Sequence, residues 1–340
     1  MRKRILLPLA GLAVLTAAAA LGGYAAWRAL HAPLAITAEG AWLEVPRGAP
    51  LAAVSRELEA RGLFEYPALL TLYGRLTGDA RRVRAGEYRL DPGVSPVQLL
   101  QKLVTGQVFL HQITIVEGWR FVDFLTALRA HPAVAANTAS ADEIMTALGR
   151  PGEHPEGQFF PDTYYFPRGT AELDLLRTAH QALHARLADA WQNRAPEGLQ
   201  VQTAYEALIL ASIIEKETAL PAERRMISGV FHRRLALGMR LQTDPTVIYG
   251  MGAAFDGDLR SRDLTNDTPY NTYMRRGLPP TPIALAGAGS IEAAVNPEIT
   301  DALYFVATGR PDGSHYFSAT LEEHNRAVAD FQLCPDCGQR

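Results

Sequence analysis

Residues 204–218 read Ala204-Tyr205-Glu206-Ala207-Leu208-Ile209-Leu210-Ala211-Ser212-Ile213-Ile214-Glu215-Lys216-Glu217-Thr218, and Pro221 follows. The run is long and apolar enough for a buried helix that ends abruptly in charges. On such a helix Glu215 and Glu217 lie roughly 200° apart, so the two carboxyls cannot share one task. Glu217 has Ile213 and Ile214 at its i−4 and i−3 neighbours, continuing the stripe of Ala207, Leu210 and Ala211. Glu215 has Ala211 and Ser212 behind it, a thinner and more polar bed. Glu217 is therefore the carboxyl expected against an apolar surface. Desolvation and the negative end of the helix dipole both favour its protonated form. A glutamic acid still protonated near neutral pH is what general-acid cleavage of a glycosidic bond requires. Lys216, Arg224 and Arg225 stand close enough in sequence to offset the shift by ion pairing, and two glutamates can also simply solvate a helix end.

The flanking sequence bears on that choice. Pro221 to Leu237 reads as a further helix stopped by Gly238. Met239 to Gly250 then mixes amide, hydroxyl and carboxylate groups (Gln242, Thr243, Asp244) with little amphipathic pattern. Similar runs are Thr268-Pro269-Tyr270-Asn271-Thr272-Tyr273, with Gly277 to Pro282 after it, and Glu156-Gly157-Gln158-Phe159-Phe160-Pro161-Asp162-Thr163-Tyr164. Prolines, tyrosines and asparagines build turns in any protein. Three such runs in one domain favour a site, because sugars present apolar ring faces together with hydroxyls.

Further out, the chain divides. Val45 onward reads as a small mixed module, spanning 45–108. It has helices over Leu51 to Arg61 and Pro67 to Leu76, and a strand over Ala85 to Leu90. A helix capped by Ser95 with Pro96 at its first position follows. The module has the size of one that docks onto polymers, or of a membrane-proximal spacer. Residues 109–333 read as a larger domain. It has a strand at Leu110 to Val116, helices over Phe121 to Arg129, Ala141 to Leu148 and Leu173 to Arg194, and a hairpin around Gly309 to Gly313. Its closing helix, Leu321 to Gln332, is capped by Thr320 and Glu323.

The N-terminus opens Met1-Arg2-Lys3-Arg4, and 22 residues from Ile5 to Ala26 follow without a charge. As a helix they span about 33 Å, close to the thickness of a bilayer core. The expectation is a cytoplasmic tail at 1–4, a transmembrane anchor at 5–27 and a stalk at 28–44. Arg2, Lys3 and Arg4 hold the short end inside, and Tyr24 and Trp27 lie at the interface. A cleaved signal peptide, with small residues at Ala17 to Ala20, is the competing reading.

The whole chain has 340 residues, 48% of them hydrophobic, a net charge of −3 and two cysteines. That excludes a disordered or fibrous protein and a disulfide-stapled scaffold, and it offers no global electrostatic case for nucleic acid. The sequence lacks a nucleophile elbow, a Walker loop, a dinucleotide fingerprint and a zincin motif. Cys334-Pro335-Asp336-Cys337 is half a zinc site at most and reads better as a local disulfide or a frayed tail at 334–340. His180 and His184 have a metal-compatible spacing but lack an acidic partner in pattern, so an exposed polar face is expected.

Several segments resemble the endolytic murein transglycosylase family, the YceG-like membrane proteins of the bacterial cell envelope. They are Glu156 to Tyr164, Ala211 to Thr218, Gly238 to Gly252, Tyr270 to Ile283, Tyr304 to Phe317 and His324-Asn325. They occur in the right order, and with the N-terminal anchor and the small preceding module the resemblance covers essentially the whole chain. The resemblance implies an α+β protein: an N-terminal transmembrane helix, a small LysM-like module, and a larger mixed α/β catalytic domain on the periplasmic side of the inner membrane. It implies lytic cleavage of the MurNAc-β-1,4-GlcNAc bond of nascent strands, leaving a 1,6-anhydro-MurNAc end. It maps the catalytic glutamate to Glu215-Lys216-Glu217-Thr218, where the Glu-Thr pair favours Glu217. Gln242, Thr243, Asp244, Tyr270, Asn271 and Tyr273, with Glu156 and Asp162, would bind the strand. No cofactor and no metal are expected; the expected partners are peptidoglycan, the membrane and peptidoglycan synthases. A muramidase, with Asp244 activating water, and a non-catalytic glycan-binding scaffold are the rival readings.

Overall fold

A computed structural model describes residues 3–333, with side chains from Leu12 onward. Cys334 and Cys337 lie outside the described residues. The chain separates into two compact units, residues 1–111 with 165–169 and residues 112–164 with 170–340.

The first unit begins with α1 (Lys3–His31). Leu12–His31 is one helix long and apolar enough to cross a membrane, and Leu12, Val14, Leu15 and Leu21 are exposed along it. Then come β1 (Ala41–Val45), α2 (Leu51–Ala60), α3 (Pro67–Leu76), β2 (Gly86–Leu90) and α4 (Pro96–Thr105). The antiparallel pairing of β1 with β2 sets Leu43 opposite Tyr88. Both side chains are buried, among Leu51, Leu58, Leu99 and Leu103 from the helices. At α4 the sequence signals work as expected. Ser95 and Gln98 form a capping box, Pro96 opens the helix, and Gly106 ends it in the left-handed conformation.

Residues 28–44 form no bare stalk. Helix α1 runs to His31, Leu30 and Leu34 are buried in the small core, and β1 occupies the end of the segment. A five-residue strand with two inward side chains carries too little period to be read before its partner is known.

The larger unit contains β3 (His111–Thr114), α5 (Phe121–Ala130), β4 (Val134–Ala135), α6 (Ala141–Ala147), β5 (Thr163–Phe166) and β6 (Thr170–Ala171), the division between units falling within β3 and β5. Next are α7 (Glu172–Gln192), α8 (Ala204–Glu217), α9 (Arg224–Ala236), α10 (Asp244–Met251), α11 (Ser261–Leu264) and α12 (Ala288–Val295). A hairpin of β7 (Tyr304–Ala307) and β8 (His315–Ser318) precedes α13 (Leu321–Phe331). Helix α8 is the axis: Ala207 to Ile214 are all buried, and α7, α9, α10 and α12 pack around it. Its neighbours contribute Leu183 and Leu187 from α7, Phe231 from α9 and Ile291 and Val295 from α12.

Helix α9 comes close to the chain after α12. The Glu298 N–H donates to the Arg225 carbonyl at 2.9 Å, and a Cβ at Gly229 would run into the Glu298 carbonyl oxygen. Gly229→Ala should therefore destabilise the protein by about 3 kcal/mol. A lowered urea midpoint with an unchanged slope would show it, and an unchanged midpoint would mean that the contact yields.

Candidate active site

Helix α8 starts at a Thr203 cap, whose hydroxyl accepts from the Glu206 N–H at 3.1 Å, and it ends at Glu217. Along its last turn the two glutamates part company. One Glu215 oxygen accepts from the Gly287 N–H (2.9 Å) at the start of α12, and the other faces Arg224 at 3.5 Å. Glu215 is thus a brace between α8, α9 and α12. Glu217 points the other way, half-buried, and accepts from the Thr243 hydroxyl. None of the three nearby cations pairs with it. Lys216 bonds to the Gly118 carbonyl, Arg224 to Glu215 and Glu117, and Arg225 to the Asn296 carbonyl.

The wall opposite is made by the turn into α10. Gln242 has φ 51°, the one non-glycine residue with positive φ among the described residues. Its N–H donates to the Thr272 carbonyl at 3.2 Å, and the Thr243 N–H donates to the Thr272 hydroxyl at 3.1 Å. The Thr246 and Thr272 hydroxyls, 2.8 Å apart, tie the base of the turn. Pro245 near the start of α10 suits helix initiation. The eight residues of α10 mix polar and apolar groups without a helical stripe, so periodicity along 239–250 does not announce the helix. The Tyr273 hydroxyl donates to Asp244 at 2.6 Å. Left-handed backbone at a residue with a Cβ costs about 1 kcal/mol. Gln242→Gly should accordingly raise the urea midpoint while lowering turnover, since it removes a side chain exposed to the cleft. A gain in both would make Gln242 a plain structural fault.

Glu217, Gln242, Thr243, Asp244 and Tyr273 thus line one cleft of about 550 Å³. Its far side comes from Arg234, Tyr304, His315, His324 and Asn325. None of these five was singled out as a site residue from sequence, although 304–317 and 324–325 lie in the segments that carry the resemblance. Arg234 is buried on α9, its guanidinium bonded to the Leu303 and Leu241 carbonyls and 5.1 Å from the Tyr304 ring centre. His324 stacks on Tyr304, and its Nδ1 is buried without a hydrogen-bond partner among the described residues. His315 is held by Glu223, through its Nδ1 (2.7 Å) and its backbone N–H (2.9 Å).

Burial pushes the Glu217 carboxyl up to about 7; the charge of Asp244 adds to the rise, and the Thr243 bond, His315 and Arg234 oppose it. Burial raises Tyr273 as well, with Asp244 adding to it, and lowers His324.

Four of the residues expected to bind a strand are not in this cleft. Asn271 is fully buried and its amide caps the Asp263, Leu264 and Asn266 carbonyls, which makes it a loop staple. Tyr270 bonds to the Thr281 hydroxyl and packs on Tyr249. Glu156 is buried, accepting from the Phe121 N–H (2.9 Å) and the Tyr249 hydroxyl (3.2 Å), and burial pushes it up to about 7. Asp162 is exposed beside β5 and caps the Thr163 N–H. Composition cannot separate loop-building from ligand-facing polar residues, because both use the same groups. His180, expected on an exposed face, is instead 7% exposed against Phe159, with its Nε2 3.0 Å from that of His184.

The profile of the YceG-like family matches residues 43–330. An endolytic murein transglycosylase of Bacillus subtilis is 31% identical over 309 residues, covering 84% of this chain and 83% of that protein. One from Streptococcus pneumoniae is 27% identical, with the match covering 84% of this chain and 57% of the longer relative. A crystal structure of a yceG-like protein from Listeria monocytogenes superposes with a TM-score of 0.53 at 31% identity, covering 85% of this chain and 99% of that one. This chain belongs to the YceG-like family.

Proposed function

We propose that the protein is an endolytic murein lytic transglycosylase with Glu217 as its single acid–base catalyst. The observation that carries the reading is one carboxyl, pushed up to about 7, lining a cleft of about 550 Å³ with hydroxyl, amide and aromatic groups around it. Kinship with endolytic murein transglycosylases supplies the substrate, a glycan of alternating N-acetylmuramic acid and N-acetylglucosamine.

The chemistry needs one such group. Protonated Glu217 gives its proton to the glycosidic oxygen as the bond from the muramic acid C1 breaks. The C6 hydroxyl of the same sugar attacks C1, and the Glu217 carboxylate takes the C6 proton. The products are a 1,6-anhydro end and a free hydroxyl on the leaving sugar, with the catalyst returned to its acid form. Thr243 engages one Glu217 oxygen, which leaves the other for the proton in transit. Asp244, held by Tyr273, places negative charge where C1 becomes positive. Gln242 and the tyrosines of the cleft offer polar and ring contacts to the strand.

The apolar α1 supports a single-pass anchor in the inner membrane, with the catalytic unit outside the cytoplasm. The small unit is read as LysM-like, serving to hold glycan or to set the height of the cleft above the membrane. Peptidoglycan synthases are the partners this placement suggests, since a strand cut near the membrane is one still being made.

The test is mass spectrometry of glycan strands digested by the full chain in detergent. Shortening the chain to Ala32 would remove Leu30 from the small core. Internal fragments with 1,6-anhydro ends are expected. Reducing ends would make the protein a muramidase, and intact strands would leave a glycan-binding protein.

A further inference from the structure

A second cavity in the larger unit, about 650 Å³, shares no lining residue with the Glu217 cleft. Its floor is apolar, from Leu187, Ala204 and Leu208. The Tyr205 ring stands at its edge, 38% exposed. Gln158 lines it while only 2% exposed, and its carboxamide has no hydrogen-bond partner among the described residues. A buried amide that makes no internal bond is costly unless a ligand or solvent satisfies it.

The charge of the cavity narrows the choice of ligand. Arg150 and Glu153 pair with each other at 3.3 Å. Burial lowers His154 and His184 and takes His180, bonded to His184, down to about 4. The histidines are therefore uncharged at neutral pH, and the cavity is close to neutral. It suits an uncharged ring with one apolar face, hydroxyls and an amide better than it suits a carboxylate.

We propose that this cavity is a second saccharide site, taking an N-acetylated hexosamine of a glycan strand away from the bond being cut. The assignment rests on the reading of the protein as one that acts on such a glycan. The Gln158 amide has the donor and acceptor to pair both ways with an acetamido group, whose methyl would lie on Leu208 and Leu187. Tyr205 offers a face for the sugar ring. Tyr205 stands near the start of α8 and Glu217 at its end, about 18 Å along a rigid helix. A sugar held there keeps a fixed spacing from the catalytic carboxyl, which makes α8 a ruler for where cuts fall.

The test uses the full chain in detergent carrying Glu217→Gln, so that a bound probe is not consumed, with the β-1,4 tetramer of N-acetylglucosamine in equilibrium dialysis. Adding Gln158→Leu or, separately, Tyr205→Ala should weaken one class of sites about tenfold and leave the others unchanged. Thermal midpoints report folding; Tyr205 is exposed, so its variant carries the test if Gln158→Leu fails to fold. With Glu217 intact, the same substitutions should broaden the length distribution of the fragments. Unchanged binding in folded variants would overturn the site, as would displacement of the tetramer from it by a stem peptide but not by free N-acetylglucosamine. Failure of the proposed reaction is read separately, from the end groups of the fragments. A chain that loses sites in the Gln158 variant yet makes no anhydro ends keeps this site and loses that chemistry.

Discussion

Glu217→Gln is expected to abolish the formation of anhydro ends, by about 10³-fold or more in kcat, with strand binding retained. A general acid contributes roughly 10²–10⁴-fold, and in the proposed reaction the same group also takes the proton back. The amide keeps the shape and can still accept from Thr243, so the fold should survive. Glu215→Gln tests the opposite case two residues away. Its side chain is 6% exposed and joins Arg224 (13% exposed) and the Gly287 N–H. An amide can keep the N–H bond but not the ion pair, and breaking a buried pair from one side is costly. The expected result is a loss of about 2 kcal/mol in stability, a thermal midpoint lower by about 5 °C, and a much smaller loss of turnover. A folded Glu215→Gln chain without activity, beside an active Glu217→Gln chain, would reverse the two roles.

The second large effect is on pH. The proposed first step needs Glu217 protonated, and its folded value is raised from 4.5 to about 7. The kcat/KM should be level below about pH 7 and fall about tenfold per unit above it. Asp244→Asn removes a charge that favours the protonated form, so the falling limb should move to lower pH. Stability follows the same group with a definite sign. A raised folded value means that the contribution of protonated Glu217 is complete below about 4.5 and is lost as pH rises through about 7. Above that window Glu217→Gln should be more stable than the native chain, by about 1–2 kcal/mol once the partial exposure of the cleft is allowed for. Glu156 is raised to about 7 as well, so the variant keeps a residual dependence in the same window. Urea midpoints from pH 4 to pH 8 would show both. A kcat/KM that stays level through pH 8 would place the acid elsewhere.

Some of the site could be read along the chain because its cause is local. The divergence of Glu215 and Glu217 follows from helical geometry alone, and so does the apolar bed under Glu217. The same is true of the Ser95 cap and the Thr320 capping box, which close within one turn. Gln242, Thr243 and Asp244 were also found, as a polar run just after a glycine-stopped helix.

Other features depend on residues distant in sequence. Asn271 and Tyr273 sit two apart in one polar run, yet one staples a loop and the other faces Asp244. Arg234 looks like any charge on α9 until the Leu303 carbonyl and the Tyr304 ring enclose it. Helix α12 was not expected, being short and apolar, but its N-cap residue Gly287 is the one whose N–H donates to Glu215.

The sequence by itself determined the apolar N-terminal helix, the buried axis helix and the carboxyl at its end, because each depends on periodicity and on neighbours within one or two turns. Only the tertiary structure decided which polar residues share the cleft with Glu217, because segments as far along the chain as His324 and Asn325 fold onto one helix end. Burial and neighbouring charge, not residue type, then set the proton affinity.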